Sequence, residues 1–302
     1  MGNIWGYKEE EGVDILGGKI NTLPTTEIYG FLPISIWDIG KKEGTLRSFM
    51  KDDIANGSYS GDRKRKTALS EMHPEVIQRC IKYWSLENDT IFDPFAGRGT
   101  RAVVSKSLKR NYIGQDISKE FYEHIKSKFK QQLTLTPQEF IDEGDKFIVK
   151  SGVTIQVTNQ DSRIKTLNDN SCDMIITSPP YWNIEFYGDE KGQLYFCETY
   201  QLFLSEMKQI VQNCYSILKE GRFCVWIVND IRREGRLIGY HSDTIKLFEK
   251  CGFNLHDVVI YNLNTPGITG LTRCDRSRYT VKSHEYILVF RKGGIYPTDK
   301  QT

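Results

Sequence analysis

Near the middle of the chain, "TSPPYW" (Thr177–Trp182) follows the apolar run "MII". Proline fixes φ, lacks an N–H and holds the residue before it extended. Ser178 and Pro179 are thereby rigid, and their oxygens are not consumed by helix formation. Tyr181 adds a flat face beside those acceptors. A group made of Ser178, Pro179, Pro180 and Tyr181 suits a planar ligand bearing an NH2: the oxygens accept its N–H bonds and the ring stacks on it. A Pro-Pro turn is also an ordinary way to end a strand, so the neighbourhood has to decide.

Three further groups bear on that neighbourhood. "DPFAGRGT" (Asp93–Thr100) reads as a strand, a Gly-x-Gly turn and a helix. Gly97 and Gly99, without a Cβ, let backbone approach a ligand closely. The stretch lacks the third glycine of the dinucleotide fingerprint and the Gly-Lys-Ser/Thr of a P-loop, so a nucleoside fits it better than a pyrophosphate. Asp116 closes "YIGQDI", where a carboxylate can accept both ribose hydroxyls. A solvated acid or a helix cap is the alternative. Asp161, in "NQDS", could meet an adenine amino group; Asp161 or Ser162 could equally cap a helix.

These residues need strands to carry them. "HPEVIQRCIKYW" has Pro74 at a first helical position and Val76, Ile77, Cys80, Ile81 and Trp84 on one face. Strands are expected in "TIFDPF", "YIGQDI", "VTIQV", "CDMII", "RFCVWIV", "HDVVIYNL" and "HEYILVF". "TYQLFLSEMKQIVQNCYSILKEG" carries the clearest helical stripe, with Gly221 closing it, and "SDTIKLFEKCG" is another helix. Alternating strands and helices predict an α/β fold: a doubly wound, mostly parallel, seven-stranded Rossmann-like sheet. The last two strands, joined by a loop, are expected as an antiparallel edge hairpin. "FLPISIWDIG" is an apolar island able to form a short strand.

Hydrophobic residues make up 39% of the 302, enough for a real core. A net charge of +2 selects no partner. The seven cysteines are scattered with no C-x-x-C pair, which argues against a disulfide scaffold or a zinc site, and no two histidines have metal spacing. His73 flanks a helix start and His284 opens a strand. No apolar run reaches membrane-helix length, and the first residues do not read as a signal peptide. A cytoplasmic protein without metal or membrane is expected; nothing chooses between monomer and dimer.

Taken in order, "DPFAGRGT" and "SPPY" resemble the cofactor and catalytic motifs of the amino-group DNA methyltransferases. "HPEVIQRCIKYWS", "GQDIS", "NQDS" and "SILKEGR" are similar to further family segments, and the likeness runs from Leu69 to Lys292. The resemblance implies S-adenosyl-L-methionine (AdoMet) as cofactor. Its site would comprise His73, Pro74, Asp93, Pro94, Phe95, Ala96, Gly97, Gly99, Thr100, Asp116, Ile117, Asp161, Ser162 and Ser178. It implies methyl transfer to the exocyclic amine of a flipped base in double-stranded DNA, with Ser178, Pro179, Pro180 and Tyr181 catalytic. Serine before Pro-Pro resembles the N4-cytosine enzymes; aspartate or asparagine there is more typical of N6-adenine enzymes. The alternatives are an N6-adenine enzyme, an RNA guanine-N2 methyltransferase and an inactive DNA-binding subunit. The chain has no Pro-Cys pair, which disfavours cytosine-C5 chemistry.

For DNA, the loop before the last strand offers Arg273, Arg276, Arg278 and Lys282, and a second basic run spans Arg63–Lys66. The expected division is an N-terminal extension over 1–68 that could touch DNA, a methyltransferase domain over 69–295 and a tail over 296–302. Asn229 and Asp230, after "WIV", could line the base pocket or form a turn.

Overall fold

The computed structural model describes residues 29, 31, 33–39, 72–132, 138–263, 278–280 and 282–294. In chain order its elements are β1 (Ile36–Asp38), α1 (Pro74–Trp84), β2 (Thr90–Asp93), α2 (Thr100–Ser107), β3 (Asn111–Asp116) and α3 (Lys119–Gln132). Then come β4 (Glu139–Asp142), β5 (Lys146–Lys150), β6 (Thr154–Asn159), β7 (Cys172–Thr177), α4 (Tyr200–Ile217) and β8 (Leu218–Val228). β9 (Ile231–Arg233), β10 (Arg236–Ile238), α5 (Tyr240–Lys250), β11 (Asn254–Asn262) and β12 (His284–Arg291) complete them.

One ten-stranded sheet runs β1-β11-β12-β8-β7-β2-β3-β6-β5-β4. The strands from β8 to β6 are parallel, and β12 is antiparallel to both β8 and β11. All seven expected strands are present and contiguous, in the expected α/β arrangement. Three more extend the sheet. β4 and β5 add an antiparallel pair beside β6. β1, from the apolar island, pairs in parallel with β11, so the antiparallel pair β11–β12 lies one strand in from that edge.

Side chains alternate across the sheet into two cores, as a doubly wound fold requires. Phe223, Val225 and Ile227 of β8 join Val76, Ile77, Ala102 and Ile125 on the face covered by α1, α2 and α3. Cys224, Trp226 and Val228 join Phe203, Met207, Val211 and Phe248 on the face covered by α4 and α5. Gly221 departs from expectation: α4 ends at Ile217, and Gly221, with φ 75°, lies inside β8. The helix is capped earlier because Leu218 turns to an extended conformation, its N–H still bonding the Cys214 carbonyl.

Parallel connections fix where a site can form. From β2 the chain crosses to β3, while from β7 it crosses to β8 on the other side. β2 and β7 are neighbours, so their carboxyl ends border the switch point at which open α/β sheets bind ligands.

Candidate active site

A cavity of about 470 Å³ opens at those strand ends. It is lined by His73 and Pro74 from the start of α1, by Pro94–Gly97 after β2, and by Thr100 from α2. Asp116 and Ile117 enter after β3, Asp161 and Ser162 after β6, and Ser178–Tyr181 after β7. Of the residues singled out for cofactor or catalysis, Asp93 and Gly99 alone are outside the lining.

Asp93 lies behind the wall, fully buried. Its carboxylate accepts from Arg101 Nε at 2.5 Å, Tyr112 Oη at 2.8 Å, Thr177 Oγ1 at 2.6 Å and the Phe95 N–H at 3.1 Å. These four bonds tie β2, α2, β3 and β7 together just before the Gly loop and the Ser-Pro-Pro turn. Asp93 therefore holds the two loops in register. Gly99 has φ 82°, and a Cβ there would sit 2.9 Å from Ile125 Cγ1 of α3. Its lack of a side chain serves helix packing. At Gly97 (φ 55°) a Cβ would meet nothing closer than 3.8 Å, which leaves that backbone open to the cavity.

Asp116 receives the Gly97 N–H at 2.7 Å and the Ser118 N–H at 2.9 Å. Burial nevertheless pushes its carboxyl up to about 7; the two backbone donors oppose the shift, Asp93 adds to it and Arg101 offsets it. No helix starts at Asp161 or Ser162. The Asp161 carboxylate accepts from its own Arg163, at 2.5 Å from Nη2, and Arg163 also reaches Glu206 of α4 and the Gly192 carbonyl. Ser162 Oγ donates to the Pro94 carbonyl. His73 caps α1, its Nδ1 accepting the Glu75 N–H at 3.3 Å.

After Ser178 and the prolines, Tyr181 meets Tyr240 edge-on, with ring centroids 6.2 Å apart. The Tyr181 hydroxyl is raised well above the usual phenol range, chiefly by burial and then by the Glu285 charge, while a bond to Ser178 opposes the rise. Trp182 then adopts φ 46°, a conformation uncommon for a bulky residue, and its Nε1 donates to the Cys197 carbonyl at 2.8 Å. That anchor fixes the exit of the Ser-Pro-Pro-Tyr turn.

Two carboxylates beside this turn were not expected. Glu185 and Glu285 both line the cavity. Tyr187 Oη donates to Glu185 Oε2 at 2.6 Å. Burial lifts the Glu285 carboxyl to about 7, the Glu185 charge adds to the rise and Lys282 opposes it. Glu185 stands four residues after Tyr181 and was readable as an acid near the motif. Glu285 reaches the cavity because β12 runs antiparallel to β8 and so begins at the end of the sheet where β8 finishes, a placement that the expected hairpin alone does not give.

Among the expected DNA contacts, Arg273 and Arg276 lie outside the described residues, as does the run Arg63–Lys66. Arg278 has φ 55°, and Lys282 Nζ donates to the Asp230 carbonyl. Asn229 and Asp230 do not line the cavity; Asp230 Oδ1 pairs with His241 Nδ1 at 2.6 Å. Among the described residues, no helix is long and apolar enough to cross a membrane.

Parts of the chain are similar to known proteins. The orphan methyltransferase M.BamHII of Bacillus amyloliquefaciens is 28% identical over 129 residues, 43% of this chain and 42% of its own. The type II methyltransferase M2.LlaDCHI of Lactococcus lactis subsp. cremoris is 34% identical over 125 residues, 40% of this chain and 42% of its own. A solved SAM-dependent methyltransferase from Methanosarcina mazei superposes with a TM-score of 0.45 at 13% identity, covering 74% of this chain and 99% of that one. The chain spans less than half the length of the first curated relatives it matches. A family profile described as DNA methylase matches residues 7–127 and 172–302, well over half of the chain. The chain belongs to this N6/N4 DNA methylase family.

Proposed function

We propose that the protein methylates the exocyclic amino group of a base flipped out of duplex DNA, with AdoMet as donor and N4 of cytosine as target. One observation carries this reading: a single cavity joins a nucleoside-binding half, around Gly97 and Asp116, to Ser178–Tyr181. The residues present fit the cofactor. A carboxylate has about four lone-pair sites, and the Gly97 and Ser118 N–H groups occupy two of those on Asp116. The others can accept the ribose hydroxyls. Asp161, oriented by Arg163, can take the adenine amino group, with Pro74 and Phe95 supplying apolar walls. AdoMet bound there supplies an electrophilic methyl group on a sulfonium.

The protein's own residues prepare the nucleophile. An aromatic amine is weakly nucleophilic because its lone pair is delocalised into the ring. Ser178 Oγ and the Pro179 carbonyl accept its N–H bonds and favour a more tetrahedral nitrogen. Tyr181 stacks on the base and holds the nitrogen in line for direct displacement, with no covalent enzyme intermediate. As the nitrogen–methyl bond forms the methyl–sulfur bond breaks, and the amine gives up one proton to water. Serine at position 178 supports cytosine.

Incubation with tritiated AdoMet and duplex DNA, followed by digestion to nucleosides, tests the reading. Label in N4-methylcytidine is the expected result. Label in N6-methyladenine moves the target base, and label with tRNA alone removes the DNA assignment. DNA binding without label would mark an inactive subunit.

A further inference from the structure

β8 runs parallel to β7, so the chain leaves it at the cavity end of the sheet. There it forms the two-stranded hairpin β9–β10, "IRREGRLI", separate from the main sheet. Glu234 (φ 49°) and Gly235 (φ 79°) supply the two left-handed positions that a two-residue type I′ turn needs. The register sets Arg233 opposite Arg236 and Arg232 opposite Leu237. Like charges directly opposite each other weaken a pair of strands, and an isolated hairpin is marginal to begin with. An anion lying along the ribbon turns that repulsion into attraction.

The hairpin is fastened on two sides. Arg233 Nη1 donates to Asn183 Oδ1 at 3.3 Å, and its guanidinium lies 6.0 Å from the Trp182 ring, next to Tyr181 in the chain. On the other side, the Arg232 guanidinium stacks 3.9 Å over Tyr279, whose hydroxyl donates to the Gly235 carbonyl at 3.1 Å. Arg278 precedes Tyr279 in the chain. The Arg236 side chain is exposed and makes no hydrogen bond or ion pair among the described residues. Glu234, the one acid of the ribbon, is 3.6 Å from Arg233 and otherwise exposed. Leu237 is 56% exposed, an apolar contact suited to sugars. The ribbon thus lies against Trp182 and Asn183, the residues that follow the cavity-lining turn Ser178–Tyr181.

We propose that the β9–β10 hairpin is a phosphate-binding ribbon that holds the DNA strand carrying the target base, through Arg232, Arg233 and Arg236. This rests on the methyltransferase reading above. Its test is the salt dependence of binding to a duplex of mixed sequence. Each phosphate contact contributes about one unit to the slope of log affinity against log salt. R236Q should lower the slope by about one unit and R232Q/R236Q by roughly two. R236K should restore it, and AdoMet affinity should not change in any of them. An unchanged slope in R232Q/R236Q, while the wild type still labels duplex DNA, overturns the ribbon and spares the function. Reduced slopes in a protein that never labels DNA support the ribbon and overturn the function. A slope change seen only on RNA of equal length overturns the DNA assignment.

Discussion

Asp116 sits where two requirements meet. Its carboxyl is held at about 7 by burial, yet its proposed partners, two ribose hydroxyls, need the ionised form as acceptor. AdoMet affinity should therefore be highest above pH 7 and fall as the pH drops below it, by at most about tenfold per unit. Titration calorimetry at pH 6 and pH 8 reads this directly. D116N should bind weakly and without the pH dependence; a wild-type affinity flat across this range removes Asp116 from the ribose site. Tyr181 gives a complementary outcome. Tyr181→Ala should lose turnover and keep AdoMet binding, because the task proposed for its ring is to stack on the base. Loss of cofactor binding in that variant would end the stacking role. That both residues line one cavity was legible from sequence, because each stands at or just past the carboxyl end of a strand. Asp93 was expected in the cofactor site but lies behind the cavity wall, and its task as a four-bond anchor needed the neighbours that three other elements bring.

At the level of elements, short apolar or β-branched runs announce strands, and all seven were readable, from the fully buried β7 to the partly exposed β11. α3 was not. Its sequence, "KEFYEHIKSKFKQQ", is dominated by charge, although Phe121, Tyr122, Ile125 and Phe129 make a narrow buried stripe. β4 and β5 escaped for a similar reason: the edge strand and its neighbour are only four and five residues long, each a short apolar run closed at both ends by acids or lysines. Gly99 shows what α3 does for the site. Ile125 packs where a Cβ at position 99 would stand, 2.9 Å from Cγ1, and φ is 82°. G99A should cost about 1–3 kcal/mol through backbone strain and overpacking. G99A/I125A should cost less than the two single changes together, since the clash is gone and the φ penalty stays. Strictly additive losses in urea unfolding would show that the α2–α3 contact is not what requires glycine.

For the whole molecule, the site places carboxyls where the fold alone would not favour them. Asp116 and Glu285, from opposite sides of the sheet's centre, are both lifted to about 7 by burial. Asp93 and Arg101 face the first; Glu185, Lys282 and Tyr181 surround the second. In the unfolded chain such groups titrate near 4. Between about pH 4 and pH 7 the folded protein then holds more protons than the unfolded one, so stability falls as pH rises through that window and levels off above it. Burial lowers His256 below its usual 6.5, which works the other way as the pH falls. The difference between wild type and D116N/E285Q isolates the two carboxyls. Raising the pH from 5.5 to 8 should depress the Tm of the wild type more than that of the double variant. Saturating AdoMet should narrow the gap for the Asp116 part alone, because its bound ribose favours the charged form. Equal pH profiles for both proteins would mean that neither carboxyl is held neutral by the fold, and that the base side of the cavity is wetter than its burial implies.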